Sequence, residues 1–264
     1  MISDAAIIPR MFEKYEEEIK ATVRESIGFK LKKASNLKIC HSKVGGIPYL
    51  PVGEEYPRNS KGSPLTFLMQ INFSEIPPLP DYPTEGVVSF YIDEKDDLLG
   101  LDFNRPTKQD GFRVLYFPTI EPDESKLQQN LANIENTNEN YESNFPFHKS
   151  FTANMEFHHE MQYITPLDYR FDNCISFVED YDLVDKYDDI FGKSVHRIGG
   201  YPHFAQEDPR SNHEEFQDYE LLVQLCSDEN EIGWGMMGVG AFFIHPNDLK
   251  ECNFSKVLYN WDSC

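Results

Sequence analysis

The sequence predicts a mainly β or α+β fold: an antiparallel β roll with internal duplication, a pseudo-twofold axis and a few peripheral helices. Two observations support this prediction. Four sequence blocks recur in the same order in the two halves of the chain, and short alternating apolar segments recur between Gly and Pro residues. A chain of 264 residues with 40% hydrophobic and 14% aromatic content can bury a substantial core.

The repeated blocks begin with Gly-Gly-x-Pro, at 45–48 and again at 199–202. Gln70 and Gln224 each follow 24 residues after the second glycine. Similar apolar segments come next at 86–92 and 238–244, and Val-Leu-Tyr ends the series at 114–116 and 257–259. We therefore expect one domain over 1–264. It comprises an N-terminal helical segment (1–36), a first β repeat (37–118), a connecting helical and acidic region (119–193) and a second β repeat (194–264).

The N-terminal segment shows apolar residues at helical spacing, among them Phe12, Tyr15 and Ile19, which predicts an amphipathic helix over 10–27 that Gly28 ends. Alternation of apolar residues from Leu65 to Phe73 predicts a strand. The sequence also predicts strands at 86–92, 111–117, 155–164, 219–226, 239–245 and 256–261, helices at 123–134 and 180–191, a loop at 135–144 and a helical turn from 247.

The charge excludes some classes of partner. Asp plus Glu number 45 against 24 Lys plus Arg, for a formal net charge of -21. Such a surface repels nucleic acid and anionic membranes, and it attracts basic proteins. The alternative interpretation, that the charge serves solubility alone, stays open. We expect the cluster Glu179, Asp180, Asp182, Asp185, Asp188 and Asp189 to contribute most to any such attraction.

The cysteines predict a reducing, cytoplasmic location. There are 5, and no two form a CxxC pair, which argues against a disulfide framework or a structural zinc site. The N-terminus lacks a basic segment followed by an apolar run, so no signal peptide is expected. Apolar runs fall short of the roughly 20 residues that span a bilayer.

Several motifs together resemble the YwqG-like family of bacterial proteins. They are the Gly-Gly-x-Pro block, the strand 222–225, Trp234-Gly235 with Gly238, and the segment 242–249 with the tail 253–259. The resemblance covers nearly the whole chain and implies a mainly β roll without an assigned activity. Many relatives carry an acidic residue after Trp-Gly, where this chain has Met236.

Basic residues attach to both Gly-Gly-x-Pro blocks. Lys43 and Arg197 precede them, and Arg58 and Arg210 follow. They could bind a carboxylate or phosphate at a nest of turn amides, or they could pair with the chain's own acids. Gln70 and Gln224 lie in apolar strands, where each amide either satisfies backbone groups of the nearby turn or faces a ligand.

Histidines offer the only plausible acid–base or metal cluster, and His196 and His203 flank the second glycine turn. No zinc-binding helix pattern, nucleophile elbow or phosphate loop is present, so we expect no metal and no cofactor, and no catalytic residue is identified. The glycine-rich segment 233–240 is better read as a bend between strands.

The sequence therefore favours a non-catalytic interaction module with an acidic surface, which could bind a basic protein such as a toxin. The alternative is an enzyme or a binder of small anions with its site between the two repeats. Its candidate residues are those near the turns: Lys43, Arg58, Gln70, Arg197, Arg210, Gln224, His196 and His203.

Overall fold

The protein is built on a single ten-stranded antiparallel sheet. A computed structural model describes residues 7–129, 131, 144–229 and 231–264. The strand order across the sheet is β10-β9-β8-β7-β1-β6-β2-β3-β4-β5. The strands are β1 (Arg24–Lys33), β2 (Lys43–Gly45), β3 (Thr66–Asn72), β4 (Val87–Ile92), β5 (Phe112–Phe117), β6 (Thr152–Gln162), β7 (Arg197–Gly199), β8 (Glu220–Cys226), β9 (Val239–Ile244) and β10 (Leu258–Asp262).

Helices are few and short. They are α1 (Glu16–Ala21), α2 (Phe171–Cys174), α3 (Tyr181–Phe191) and α4 (Pro246–Lys250). Short 3-10 segments, of which Arg10–Tyr15 is the longest, complete the regular structure of the described residues. The predicted antiparallel β class with a few helices is confirmed. No helix in the described part of the chain combines the length and the apolar character that crossing a membrane requires.

Four strands lie on each side of the central pair β1 and β6; we call β2–β5 the first quartet and β7–β10 the second. The two quartets share one pairing register. Lys43 pairs with Gln70 where β2 meets β3, and Arg197 pairs with Gln224 where β7 meets β8. Both quartets also carry a bulge at the same place, between Phe67 and Met69 in β3 and between Leu221 and Val223 in β8. A bulge interrupts the ladder at a defined point, so its recurrence ties the two quartets to the same local geometry.

The central strands are exchanged between the two quartets. Ile27 of β1 pairs with Ile198 of β7, and Ala153 of β6 pairs with Val44 of β2. Since β7 and β2 are equivalent, β1 and β6 are equivalent too. Each strand precedes one quartet in the chain but pairs with the other, and β1 and β6 pair with each other over their whole length.

The sheet curls into a nearly closed barrel, and the main core lies inside it. Phe90 of β4 and Phe242 of β9 meet across the interior with ring centroids 4.6 Å apart. Phe112 of β5 contacts Tyr259 of β10 at 5.2 Å. The two edge strands thus come together through aromatic side chains rather than through a backbone ladder.

A second cluster of buried side chains packs outside the barrel. It joins the N-terminal segment to α2 and α3, with the ring of Tyr187 lying 5.5 Å from both Phe12 and Phe171. Tyr187 also donates a hydrogen bond to the Ile164 carbonyl oxygen at 3.0 Å. This cluster holds the helices against the second half of the sheet.

The predicted helix over 10–27 is wrong in its second part. Helical structure ends at Ala21, and β1 occupies the central position of the sheet from Arg24 onward. Apolar residues of β1 alternate with polar ones, and Gly28 continues the strand instead of ending a helix. The segment 1–36 is therefore not an N-terminal helical segment alone, since it supplies a central strand.

The connecting region 119–193 contains the strand predicted at 155–164, which is the central strand β6 and begins earlier, at Thr152. The predicted helix over 123–134 is wrong at 127–129. Only Glu124–Lys126 is helical there, and Leu127 forms an isolated bridge with Pro51. The rest of that prediction, apart from residue 131, and most of the predicted loop lie outside the described residues. The acidic helix is confirmed as α3, which begins after Asp180 and ends at Gly192.

The last repeated block, Val-Leu-Tyr at 114–116 and 257–259, is not structurally equivalent residue by residue. Phe90 and Phe242 are equivalent, and they pair with Val114 and Tyr259 respectively. Val114 therefore corresponds to Tyr259 and not to Val257. The Val-Leu-Tyr similarity is displaced by two residues from the structural equivalence.

Candidate functional site

The glycine pairs form left-handed turns at the ends of β2 and β7. Gly45, Gly46, Gly199 and Gly200 have φ values of 68, 74, 68 and 71°. A Cβ atom at Gly45 would lie 2.2 Å from the Phe151 carbonyl oxygen, and one at Gly200 would lie 2.4 Å from Oε1 of Gln162. Glycine is required for both conformation and space. Each turn ends a short strand, β2 at Gly45 and β7 at Gly199.

Gln70 and Gln224 hold the two turns in the same way. The Tyr49 amide donates to Oε1 of Gln70 at 2.7 Å, and the His203 amide donates to Oε1 of Gln224 at 3.0 Å. Nε2 of Gln70 donates to the carbonyl oxygens of Ile39 and His41, each at 2.8 Å. Nε2 of Gln224 donates to that of Val195 at 2.7 Å. These bonds agree with the interpretation that each amide satisfies backbone groups beside its turn.

Lys43 and Arg197 are buried at equivalent positions, yet they bind different groups. Nζ of Lys43 donates to the carbonyl oxygen of Ile39 at 2.8 Å. Burial lowers the pKa of Lys43 to about 8, although nearby Cys40, Glu124 and Glu75 act in the opposite direction. Arg197 donates to the Tyr201 carbonyl oxygen and lies 3.6 Å from Oε2 of Glu160.

His196 and His203 also serve the local fold. Nδ1 of His196 accepts a hydrogen bond from the Cys226 amide at 3.0 Å, and its ring stacks on Phe29. The equivalent bond in the first half runs from the Asn72 amide to Oγ of Ser42 at 2.9 Å. Burial lowers the pKa of His203, against the charge of Asp262. The His196 imidazole is therefore a backbone partner, whereas the buried Nδ1 of His203 has no hydrogen-bond partner in the described part of the chain and only the His203 backbone amide joins the turn.

Arg58 and Arg210 are not equivalent. Arg58 is exposed and donates to the Gly62 carbonyl oxygen at 2.8 Å. Arg210 is fully buried and donates to the Tyr219 carbonyl oxygen at 2.8 Å. In the first half Tyr56 makes the corresponding bond, from its hydroxyl to the Leu65 carbonyl oxygen at 2.9 Å. Tyr56 and Arg210 each lie 10 residues after the second glycine of their pair, so matching by charge to Arg58, and not spacing, misassigned the partner of Arg210 by two residues.

Arg210 lies in a buried charge network that sequence reasoning missed. Its guanidinium binds Asp208 at 2.6 Å and Asp168 at 3.0 Å. Asp168 also binds Arg170 at 2.6 Å, and Arg170 binds Glu220, which in turn pairs with Arg24. Burial alone would raise the pKa of Asp168, but the hydrogen bond from Arg170 and the charge of Arg210 lower it. The Asp-x-Arg spacing at 168–170 and 208–210 was the available signal.

These positions place the candidate residues in two separate groups, one beside each turn. Lys43 and Gln70 belong to the first half, whereas Arg197, Gln224, His196 and His203 belong to the second. The carboxylates and carbonyls of the chain itself occupy most of their polar atoms. Among the described residues, no group of three or more His, Cys, Asp or Glu side chains could hold a metal ion.

Residues 42–264 match a family described as a domain of unknown function, DUF1963. The chain belongs to this family. No curated protein matches the chain. The DUF1963 match begins after β1, although β1 pairs with β6 and β7 in the middle of the sheet. Residues outside the matched region therefore complete the DUF1963 fold in this chain.

The DUF1963 domain also presents an acidic surface along α3, which we call the α3 surface. Carboxylates project from the helix and from the residues that precede it, and Tyr181 is 75% exposed beside them. A shallow cleft of 620 Å³ lies at the start of the helix, between Tyr15 and Tyr181. The acidic members of the α3 surface are Glu179, Asp180, Asp182, Asp185, Asp188 and Asp189.

Proposed function

We propose that this protein is a non-catalytic interaction module that binds a basic protein through the α3 surface. The observation that carries the proposal is a concentration of exposed carboxylates without ion-pair partners. In the described part of the chain, no Lys, Arg or His side chain lies within ion-pair distance of Glu179, Asp182, Asp185 or Asp189. A cationic toxin is one partner of this chemistry.

Mutual repulsion within the α3 surface supports an affinity for cations. The pKa of Asp188 is raised by burial and by the charges of Asp189 and Asp185. A partner's lysine or arginine beside these groups would relieve that repulsion and steer association. The charge of -21 extends the same attraction over the molecule.

The cleft at the start of α3 gives such a cation a specific place. Tyr15 and Tyr181 supply aromatic faces, and the carboxylates of Asp180 and Asp182 line the same 620 Å³ space. A cation over an aromatic ring next to a carboxylate is a common anchor at interfaces. Lys14 already lies 5.0 Å from the centre of the Tyr15 ring, so that ring can accept a cation.

The environment of the turn residues favours this role over a small-anion site. Gln70 and Gln224 are fully buried and bound to backbone, and Arg210 is neutralised by two aspartates. An anion would have to displace these partners and leave buried groups unpaired, which costs free energy. The free carboxylates of the α3 surface carry no such cost.

Two charge-reversed variants with the same net charge test the proposal. D182K/D185K/D189K alters the α3 surface, and E54K/E55K/D97K changes exposed acids elsewhere. Each serves as bait in cell extract, and captured proteins are then purified for association-rate measurements at several salt concentrations. We expect basic partners whose association slows with salt, and whose capture fails only with the first variant. An acidic partner, salt-independent association, or equal loss with both variants would contradict the proposal.

We further infer that the two quartets descend from one duplicated unit and that the chain is a YwqG-like bacterial member of its family. The shared register and the recurring bulge support the first inference. The motifs at 234–249 support the second. A cytoplasmic location is the third inference, and the free state of all five cysteines supports it.

A further inference from the structure

The central strand β6 has an open edge. Its residues Thr152 to Asn154 pair with β2, whereas its pairing with β1 extends from Ala153 to Gln162. Beyond Asn154, no strand of the described residues lies on the β2 side of β6. Unpaired strand edges present rows of hydrogen-bonding groups that can recruit another chain.

The backbone of Phe157 points toward that open edge. The Phe29 amide of β1 donates to the His196 carbonyl oxygen at 3.1 Å, on the side away from β6. Phe29 and Phe157 are directly opposite one another. Opposed residues in an antiparallel pair either exchange hydrogen bonds or both point outward. The N–H and C=O of Phe157 therefore point away from β1, and no loop of the described chain forms a backbone hydrogen bond with them.

A cleft of 710 Å³ lies along this edge, and we call it the β6 cleft. Its volume is within the range of about 300–1,000 Å³ that is usual for ligand pockets. One side is formed by β6 from Asn154 to Phe157 with the end of β1 (32–33) beside it, and the opposite wall contains Leu37, Ile76 and Pro77. Ion pairs lie at its border, Lys32 with Glu156 at 3.2 Å and His41 with Glu75 at 3.8 Å.

The wall that faces β6 is held in place before any ligand arrives. Four consecutive carbonyl oxygens, those of residues 38–41, accept hydrogen bonds from buried side chains. The donors are Lys43, Gln70 and Asn72, and the Ser42 amide donates to Oε2 of Glu75 at 2.7 Å. A fixed wall lowers the cost of ordering a bound segment.

We propose that the β6 cleft binds an extended peptide segment of another protein, which adds as a strand to β6 at Met155–Phe157. Backbone hydrogen bonds to Phe157 would set its register, and an apolar side chain would enter between Leu37 and Ile76. Polar or charged residues on either side would meet the ion pairs at the border. This site is separate from the α3 surface and does not depend on it.

A displayed library of random seven-residue peptides supplies the probe, and the selected peptides are synthesised for binding and amide-exchange measurements. In the free protein the Phe157 amide should exchange quickly, while the neighbouring amides of Glu156 and His158, which face β1, exchange slowly. Bound peptide should slow exchange at Phe157 about tenfold or more. L37W, which fills the cleft, should weaken binding about tenfold or more, whereas L98W at an exposed site elsewhere should not.

Three results would overturn the proposal. The first is that selection on the wild-type protein enriches no peptide beyond selection on L37W. The second is that enriched peptides bind without protecting the Phe157 amide. The third is that sedimentation shows a dimer that L37W dissociates, which would assign the edge to a second copy of this chain. Amide exchange in L37W also shows whether the variant keeps its fold, so a loss of binding is interpretable.

Discussion

The two quartets of strands form the same side-chain hydrogen bond to a backbone carbonyl oxygen with different residue types. At equivalent positions before β3 and β8, Tyr56 and Arg210 each donate to a carbonyl oxygen, at 2.9 and 2.8 Å. Each also lies against an aromatic ring, of Tyr91 in β4 or of Phe243 in β9. The Tyr56 ring is 5.7 Å from Tyr91, and the Arg210 guanidinium is 4.9 Å from the centre of the Phe243 ring.

The difference lies in what the two residues require from their surroundings. A tyrosine hydroxyl needs one acceptor, but a buried guanidinium must also be neutralised. Asp208 comes from the second quartet itself, whereas Asp168 comes from the region that joins the quartets. Arg210 therefore links the connecting region to the second quartet. The hydrogen bond to a backbone carbonyl is the same in both quartets, but in the second quartet the residue that makes it also depends on Asp168, which is distant in sequence.

Removal of the charged member should have the largest effect. R210M leaves Asp208 and Asp168 buried without this cation, and we expect a loss of about 3–5 kcal/mol in the free energy of unfolding. Y56F removes the hydrogen bond to the Leu65 carbonyl oxygen, whose loss should cost about 0.5–1.5 kcal/mol. Denaturant unfolding of both variants measures the comparison. Equal losses would show that the two positions are energetically alike despite their chemistry.

A compensated variant separates charge from packing at Arg210. In D208N/R210M the carboxylate whose ion pairs in the described chain are all with Arg210 is neutral, while Asp168 keeps Arg170, so stability should recover part of the loss seen with R210M alone. No recovery would assign the effect of R210M to lost packing against Tyr169 and Phe243.

The Lys43 position should make the free energy of unfolding depend on pH. Lys43 has a pKa lowered from 10.5 to about 8 by burial, so between these values the unfolded chain binds more protons than the folded one. Stability should therefore rise with pH across that window, by about 3 kcal/mol relative to K43M. Unfolding at pH 7 to 11 of wild type, K43M and the exposed-site control K32M measures it. A constant difference between wild type and K43M would contradict a lowered pKa.

The two glutamines should show smaller effects than Arg210 and resemble each other most closely. Q70L and Q224L each leave buried backbone groups unpaired, at a cost of about 1–3 kcal/mol. Q70L should cost more, because Nε2 of Gln70 reaches two carbonyl oxygens and that of Gln224 reaches one. Thermal melting of both variants ranks them. An unchanged melting temperature for Q224L would show that its bonds do not stabilise the second turn.

Local patterns in the sequence predicted much of the sheet. Alternating segments located β3, β4, β5, β6, β8, β9 and β10 to within a few residues, and one of the two roles considered for Gln70 and Gln224, binding backbone beside the turn, is the one that their hydrogen bonds show. These features depend on neighbouring residues and on hydrogen-bonding capacity, which a sequence shows directly. The acidic helix α3 was equally visible, because Asp180 caps it and Gly192 follows it.

What the sequence did not show depends on contacts between distant segments. β1 follows a helix without a break, and its apolar residues also suit helical spacing, so only its pairing with β6 and β7 decides its structure. The pairing of Arg210 with Asp168 spans 42 positions in the chain. Tyr56 and Arg210 are different residue types, so their equivalence is not apparent from residue identity. Equivalence by hydrogen bond, rather than by residue type, became visible only in three dimensions.

The exchange of β1 and β6 between the quartets has a consequence for synthesis. β1 leaves the ribosome early, but its neighbours β6 and β7 begin only at Thr152 and Arg197. The first quartet likewise lacks its adjoining strand until β6 emerges. Neither half can close by itself during translation, and contacts of such long sequence separation slow folding. β1 therefore remains without its neighbouring strands while more than half of the protein is made.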